Sequence, residues 1–171
     1  MKIVVTGAES TGKTTLASDL AKYYHTTFVT EFARDYLVCQ GGVYGYRDLL
    51  IIAKGQHDAI LRAQDLRPNP IIVDTDLLTI KIWSEYKYGK CARWIEEALQ
   101  KYKPDLYLLC TPDIPWEEDP LRENPYDREE LDAIYVKEIN NLKVPYIRLS
   151  GSRSERVQTA IIKIESIKSQ Y

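Results

Sequence analysis

Residues 7–14 read Gly-Ala-Glu-Ser-Thr-Gly-Lys-Thr and satisfy every fixed position of GxxxxGK[ST]. The run before them, KIVVT over residues 2–6, is apolar and β-branched, which predicts a buried parallel strand. After them Leu16, Leu20 and Tyr23/Tyr24 recur at helical spacing, with Ala17 and Ala21 alongside, predicting a helix over 14–24. A strand entering a helix through this loop builds an anion site: backbone N–H groups and the positive end of the helix dipole converge on a phosphate. Gly7 and Gly12 let the backbone wrap, and Glu9, Ser10, Thr11 and Thr15 complete the cradle. Lys13 is placed to reach the β- and γ-phosphates, and the Thr14 hydroxyl to ligate Mg²⁺. A plain capping turn at Ser10 or Thr11 would need far less than this complete match. ATP or GTP is the expected ligand.

The rest of the chain alternates in the same way. Strands are predicted over 26–31, 70–76, 105–113 and 144–151, and helices over 32–38, 46–66, 76–88, 91–102, 128–142 and 152–169. Alternation of this kind implies right-handed βαβ units and a parallel sheet. The expected architecture is α/β: a P-loop NTPase fold, about five parallel strands with helices on both faces, in one domain over 1–171 with a short lid at about 114–128. Ligands of such sheets sit beyond the carboxyl ends of the strands, which directs attention to 7–14, 31–35, 74–76 and 111–116. A net charge of −2 offers no basic surface for nucleic acid. Three cysteines without CxxC spacing suggest neither a disulfide framework nor a zinc site. No apolar run approaches the length of a membrane span, so the expected location is the cytoplasm, with no membrane partner and an undetermined oligomeric state.

A GTPase would need NKxD, and NNLKVP at 140–145 does not supply it; DTDL after the third strand lacks the glycine of DxxG. An AAA-type or transporter-type ATPase would end a hydrophobic strand in Asp-Glu, whereas IIVD continues as Thr75-Asp76. The segment 114–127, IPWEEDPLRENPYD, holds three prolines and five acids, with Arg122 inside it and Arg128 just beyond. It reads either as a mobile lid that brings arginines to a transferring phosphoryl group or as a solvated loop of surface ion pairs; beside a phosphate loop the lid is favoured. Asp74 ends the third strand, where it could hold Mg²⁺ or contact an acceptor hydroxyl, with Asp76 two residues on. Glu31 and Arg34 share a helical face. Together they suit either ribose binding and proton removal or a simple i,i+3 salt bridge. Trp116, beyond the fourth strand, is either a core plug or a platform for a flat base, with Tyr36 and Tyr88 as weaker aromatic candidates. Trp83, Trp94, His25 and His57 read as core or surface residues.

Taken in order, GAESTGKTTL, TEFARDYL, VDTDLLTIKIWSEYKYG and PDIPWEEDPLRENPYDRE resemble the NadR-type ribosylnicotinamide kinase domain from residue 3 to about 149. The first motif is common to many NTPases; its combination with TEFAR, DTD and the two-arginine loop is much more specific. The resemblance implies ATP-dependent phosphorylation of the 5′-hydroxyl of nicotinamide riboside, and a third strand beside the first. It carries Lys13 and Thr14 over as phosphate and Mg²⁺ contacts, Glu31 and Asp74 as acceptor-site acids, and Arg122 and Arg128 as lid arginines. Family members often carry a nucleotidyltransferase domain, and sometimes a DNA-binding domain, ahead of the kinase. With its first strand at residue 2, this chain is expected to have neither. The alternatives are a deoxynucleoside or nucleotide kinase, and a nucleotide-binding regulatory ATPase module. If Lys13 serves the β/γ-phosphates, Lys13→Ala should lower phosphoryl transfer by ~10²–10³-fold with the fold intact, read by steady-state rates beside circular dichroism.

Overall fold

Ile3, Val4 and Val5 are all fully buried, although neighbours along a strand point to opposite faces. Both faces of the sheet must therefore be covered, as parallel sheets require. The computed structural model describes residues 1–169. It contains β1 (Lys2–Thr6), β2 (Phe28–Val29), β3 (Ile71–Asp74), β4 (Leu106–Cys110) and β5 (Tyr146–Leu149). The helices are α1 (Lys13–Tyr23), α2 (Phe32–Cys39), α3 (Tyr46–Asp65), α4 (Leu77–Tyr88), α5 (Arg93–Lys101), α6 (Arg128–Leu142) and α7 (Arg153–Lys168). The strand order is β2-β3-β1-β4-β5, all parallel, with β3 beside β1 as expected.

The strand pleat divides the core in two. Val4, Ile71, Val73, Tyr107 and Leu109 face a layer built from α2 to α6, where Leu49, Ile52, Leu78, Ile95 and Ile139 pack. Ile3, Val5, Ile72, Leu106 and Leu108 face the other way, against Leu16, Ala17 and Leu20 of α1 and Ala160 and Ile164 of α7. The predicted stripe on α3 lies inward, with Leu49, Ile52, Ala53, Gln56 and Ile60 buried. His57 is also buried, against Trp94 and Tyr102.

The four strands after β1 are all shorter than expected, two of them for specific local reasons. β2 is an edge strand that pairs with β3 only at Phe28↔Ile72 and Val29↔Val73, and Glu31 already caps α2. β3 ends at Asp74 because Thr75 turns to φ 63° and Asp76 caps α4 by accepting from Leu78 N.

The exit of β1 into α1 admits only glycine. Gly7 has φ +136°, and a Cβ there would stand 2.5 Å from the Cys110 carbonyl oxygen of the adjacent β4. Gly12 takes φ 79° to start α1. Gly7→Ala should therefore cost on the order of 1–3 kcal/mol in backbone strain alone, with the clash in addition. A lowered urea midpoint at unchanged slope would show it.

Candidate active site

Beyond the carboxyl ends of the strands lies a cavity of about 580 Å³, lined by the phosphate loop, Glu31, Arg34, the inner face of α4, the 114–124 segment and the start of α7. Within the loop the Thr11 hydroxyl donates to Ala8 O at 2.8 Å, and Lys13 Nζ donates to the same oxygen at 2.6 Å. Thr14 Oγ1 donates to Asp74 Oδ2 at 2.6 Å. Asp74 is 1% exposed beneath the loop, and its Oδ1 has no hydrogen-bond partner among the described residues. An orphaned carboxylate oxygen beside a threonine hydroxyl is a donor set that suits Mg²⁺, which takes one or two protein oxygens together with phosphate oxygens.

Glu31 takes the cap position of α2 but makes no side-chain cap hydrogen bond, which leaves its carboxylate to the cavity. Burial pushes its pKa up; the Lys13 charge opposes that rise and the Asp74 charge adds to it. Burial also raises Asp74, against the Thr14 hydrogen bond and Lys13. The Glu31–Arg34 salt bridge does not form: Arg34 Nη2 instead meets Asp119 Oδ2 of the 114–127 segment at 2.7 Å.

That segment is stitched to the phosphate loop. Glu117 N and Arg122 Nη1 donate to Ser10 Oγ at 2.9 and 3.3 Å. Arg128 Nη1 donates to Ser10 O at 3.2 Å and to Ile114 O at 2.9 Å. Glu123 N and Asn124 N donate to Glu9 Oε2 at 3.0 and 2.9 Å. Neither arginine forms an ion pair with the many acids nearby, among the described residues. Glu9 and Ser10, expected as phosphate ligands, thus turn their side chains to this segment. For Glu9 the reason is electrostatic, since a carboxylate repels a phosphate and accepts N–H groups well.

Three expected placements are corrected. Asp76 is buried, caps α4 and accepts from Tyr107 Oη at 2.8 Å; it faces away from the cavity, because two residues past the strand end the chain has already entered a helix. Trp116 does not line the cavity; its ring stands 5.9 and 5.8 Å from the Arg122 and Arg128 guanidinium carbons, where a second cation would be repelled. Tyr36 bonds Asp48, and Tyr88 packs on Tyr46. The aromatic walls are Trp83, whose helical spacing read as ordinary core packing, and Tyr86 and Tyr135, which carry no motif in the sequence. Arg156 was also missed. It is 5% exposed, lines the cavity, donates to Thr11 O at 3.0 Å and Gly151 O at 2.9 Å, and pairs with Asp113. Extending the strand-end rule to the fifth strand would have led to Gly151 and from there to Arg156.

A family described as "AAA domain" matches residues 2–156. The chain belongs to that family. The matched span takes in the phosphate loop, both acids and both arginines; the Asp-Glu pair used above to set AAA-type ATPases aside is absent from this AAA domain, where Thr75 follows Asp74. The chain is 28% identical over 153 residues to the trifunctional NAD biosynthesis/regulator protein NadR of Escherichia coli (strain K12), covering 86% of this chain and 37% of that protein. It thus spans little more than a third of the length of the curated relatives it matches. A crystal structure of NadR protein in complex with NR superposes with a TM-score of 0.84 at 20% identity, over 96% of this chain and 50% of the other. A thymidylate kinase from Ehrlichia chaffeensis superposes at 0.66 and 15% identity, over 95% and 97%. These likenesses establish the fold as that of P-loop nucleoside and nucleotide kinases. Among the described residues no helix is long and apolar enough to cross a membrane.

The raised acids give a signed stability prediction. Folded Glu31 and Asp74 bind protons more tightly than the unfolded chain, whose ordinary values are 4.5 and 3.8. Their contribution is full below about pH 4 and is lost as pH rises through the folded values. Glu31→Gln and Asp74→Asn should each raise the melting temperature of the ligand-free protein more at pH 8 than at pH 4, by roughly 2–4 °C per kcal/mol relieved. Equal shifts at both pH values would contradict the direction.

Proposed function

We propose that this chain is an ATP-dependent nucleoside kinase whose acceptor is nicotinamide riboside. One observation carries the reading: a single cavity joins a complete phosphate loop, Glu31 and the Arg122-bearing segment to aromatic walls, with Asp74 buried just beneath the loop and bonded to Thr14. The likeness to NadR, a protein of NAD biosynthesis whose structure holds NR, supports the choice of acceptor. In this reading residues 1–171 act as one kinase domain in the cytoplasm, with 114–128 as its lid.

The chemistry is an in-line displacement. The ribose 5′-oxygen bonds to the γ-phosphorus, the bond to the β–γ bridging oxygen breaks, and ADP leaves with nicotinamide mononucleotide as the other product. Lys13 moves from Ala8 O to the phosphates. Thr14 and Asp74 would hold Mg²⁺, which supplies charge neutralisation at the β- and γ-oxygens. Asp74, at the end of the strand beside the phosphate loop, is slightly favoured over Glu31 as the base by its place in the sequence alone. The Thr14 bond engages Asp74 beneath the loop, which supports Glu31 instead as the group that orients the 5′-hydroxyl and takes its proton; its raised pKa suits that role. Arg122 and Arg128, already drawn to Ser10, would stabilise the charge spread over the transferring oxygens. Their seated lid keeps out competing water. Trp83 and Tyr86 offer faces to the cationic nicotinamide ring, with Glu31 nearby.

The test is kcat/KM for nicotinamide riboside against thymidine, deoxycytidine, uridine and adenosine, with ATP and Mg²⁺. Nicotinamide riboside should lead. Preference for an uncharged nucleoside would replace the acceptor. ATP turnover that answers to a macromolecule and to no nucleoside would replace the kinase by a regulatory ATPase. Trp83→Ala should raise the KM for nicotinamide riboside roughly 2- to 30-fold. Arg122→Ala and Arg128→Ala should lower kcat and kcat/KM together. A rise confined to the KM for ATP would make the arginines ground-state ligands.

A further inference from the structure

Gln56, on the inner face of α3, is 1% exposed and spends its amide on the backbone of two other segments. Its Oε1 accepts from Phe32 N at 2.7 Å, and its Nε2 donates to Thr30 O at 3.3 Å and to Thr75 O at 3.1 Å. Thr30 and Phe32 flank Glu31, and Thr75 follows Asp74. The ladder between β2 and β3 stops at Val29↔Val73, so beyond it no strand pairing joins the stretches that carry the two acids. The Gln56 amide spans that gap. It also holds the carbonyl of Thr75, a β-branched residue at φ 63° that persists only under restraint from several sides; the Thr75 N–H is fixed separately by Val5 O at 3.0 Å. Helix packing asks for nothing polar here, since Ile52, Ala53 and Ile60 on the same face are buried apolar residues.

We propose that Gln56 is a positioning residue that sets the separation of Glu31 and Asp74. The inference rests on the kinase reading above for its catalytic consequence. A displacement of about 1 Å in a reacting group can cost ~10²-fold in rate. Gln56→Met keeps the bulk and loses the amide, and Gln56→Asn keeps the amide but falls short. For either, kcat with nicotinamide riboside should drop ~10- to 100-fold while the KM for ATP stays within about two-fold, since the phosphate loop is untouched. Ile60→Val or Ile60→Ala, chosen to match the variants' melting temperature, controls for packing and should keep kcat. If Gln56→Met fails to fold, Gln56→Asn decides. Unchanged kcat, or a loss equal to that of the Ile60 control, overturns the proposal. A wild-type protein that phosphorylates no nucleoside sinks the kinase reading but not the placement. In that case faster amide exchange over both 30–32 and 74–76 in Gln56→Met, beyond that of the Ile60 control, upholds Gln56. Unaltered exchange overturns it.

Discussion

The hydrogen bond from Thr14 to Asp74 is the contact on which the rest of the site depends. It joins the first turn of α1 to the end of β3, two segments sixty residues apart that meet only because β3 lies directly beside β1. That adjacency is a matter of register: Val5 pairs with Asp74, so the strand entering the phosphate loop and the strand ending in an acid reach the same height. On the other side of β1, the Cys110 carbonyl leaves no room for a side chain at Gly7. The loop is thereby held between an acid and a backbone wall before any ligand arrives.

Much of this was legible in the sequence, because the strongest signals are local. A β-branched run, a glycine-bounded loop and an amphipathic helix in succession allow few alternatives, and α6 begins and ends at the predicted residues. Glu31 and Asp74 were legible for the same reason: each follows a strand, where parallel sheets place their ligands. What failed were inferences that needed side-chain direction. Asp76 and Asp74 look equivalent in the sequence, yet one residue in the left-handed region between them sends one toward the loop and the other into a helix cap. Trp83, read as core, lines the cavity, and Trp116, left open between core plug and base platform, packs beside Arg122 and Arg128, because spacing alone cannot tell a core stripe from a cavity wall. Arg156 was signalled only through its near partner Gly151 at the end of the fifth strand, since its other carbonyl partners, on Thr11 and Thr111, are remote in sequence.

The aromatic side of the cavity is held by a connected set of contacts. Trp83 Nε1 donates to the Tyr44 hydroxyl at 2.9 Å; Tyr44 donates to Glu123 at 2.7 Å; Lys87 bonds both. Glu123 in turn hangs by its backbone from Glu9. A path of hydrogen bonds therefore runs from the phosphate loop, through Glu123, to an aromatic wall of the cavity. Each exposed link is worth little alone. Their shared dependence on Glu123 means that the two ends of the cavity take shape together.

Glu9 and Ser10 occupy positions that the phosphate-loop motif leaves free, and here those positions anchor the 117–124 stretch. The loop is thus two devices on one backbone. Its fixed residues speak a language common to all such proteins, and its free residues speak only to this chain's own residues 117–128. A loop transplanted from another NTPase could keep every glycine, the lysine and the threonine, bind nucleotide, and still leave the cavity unroofed.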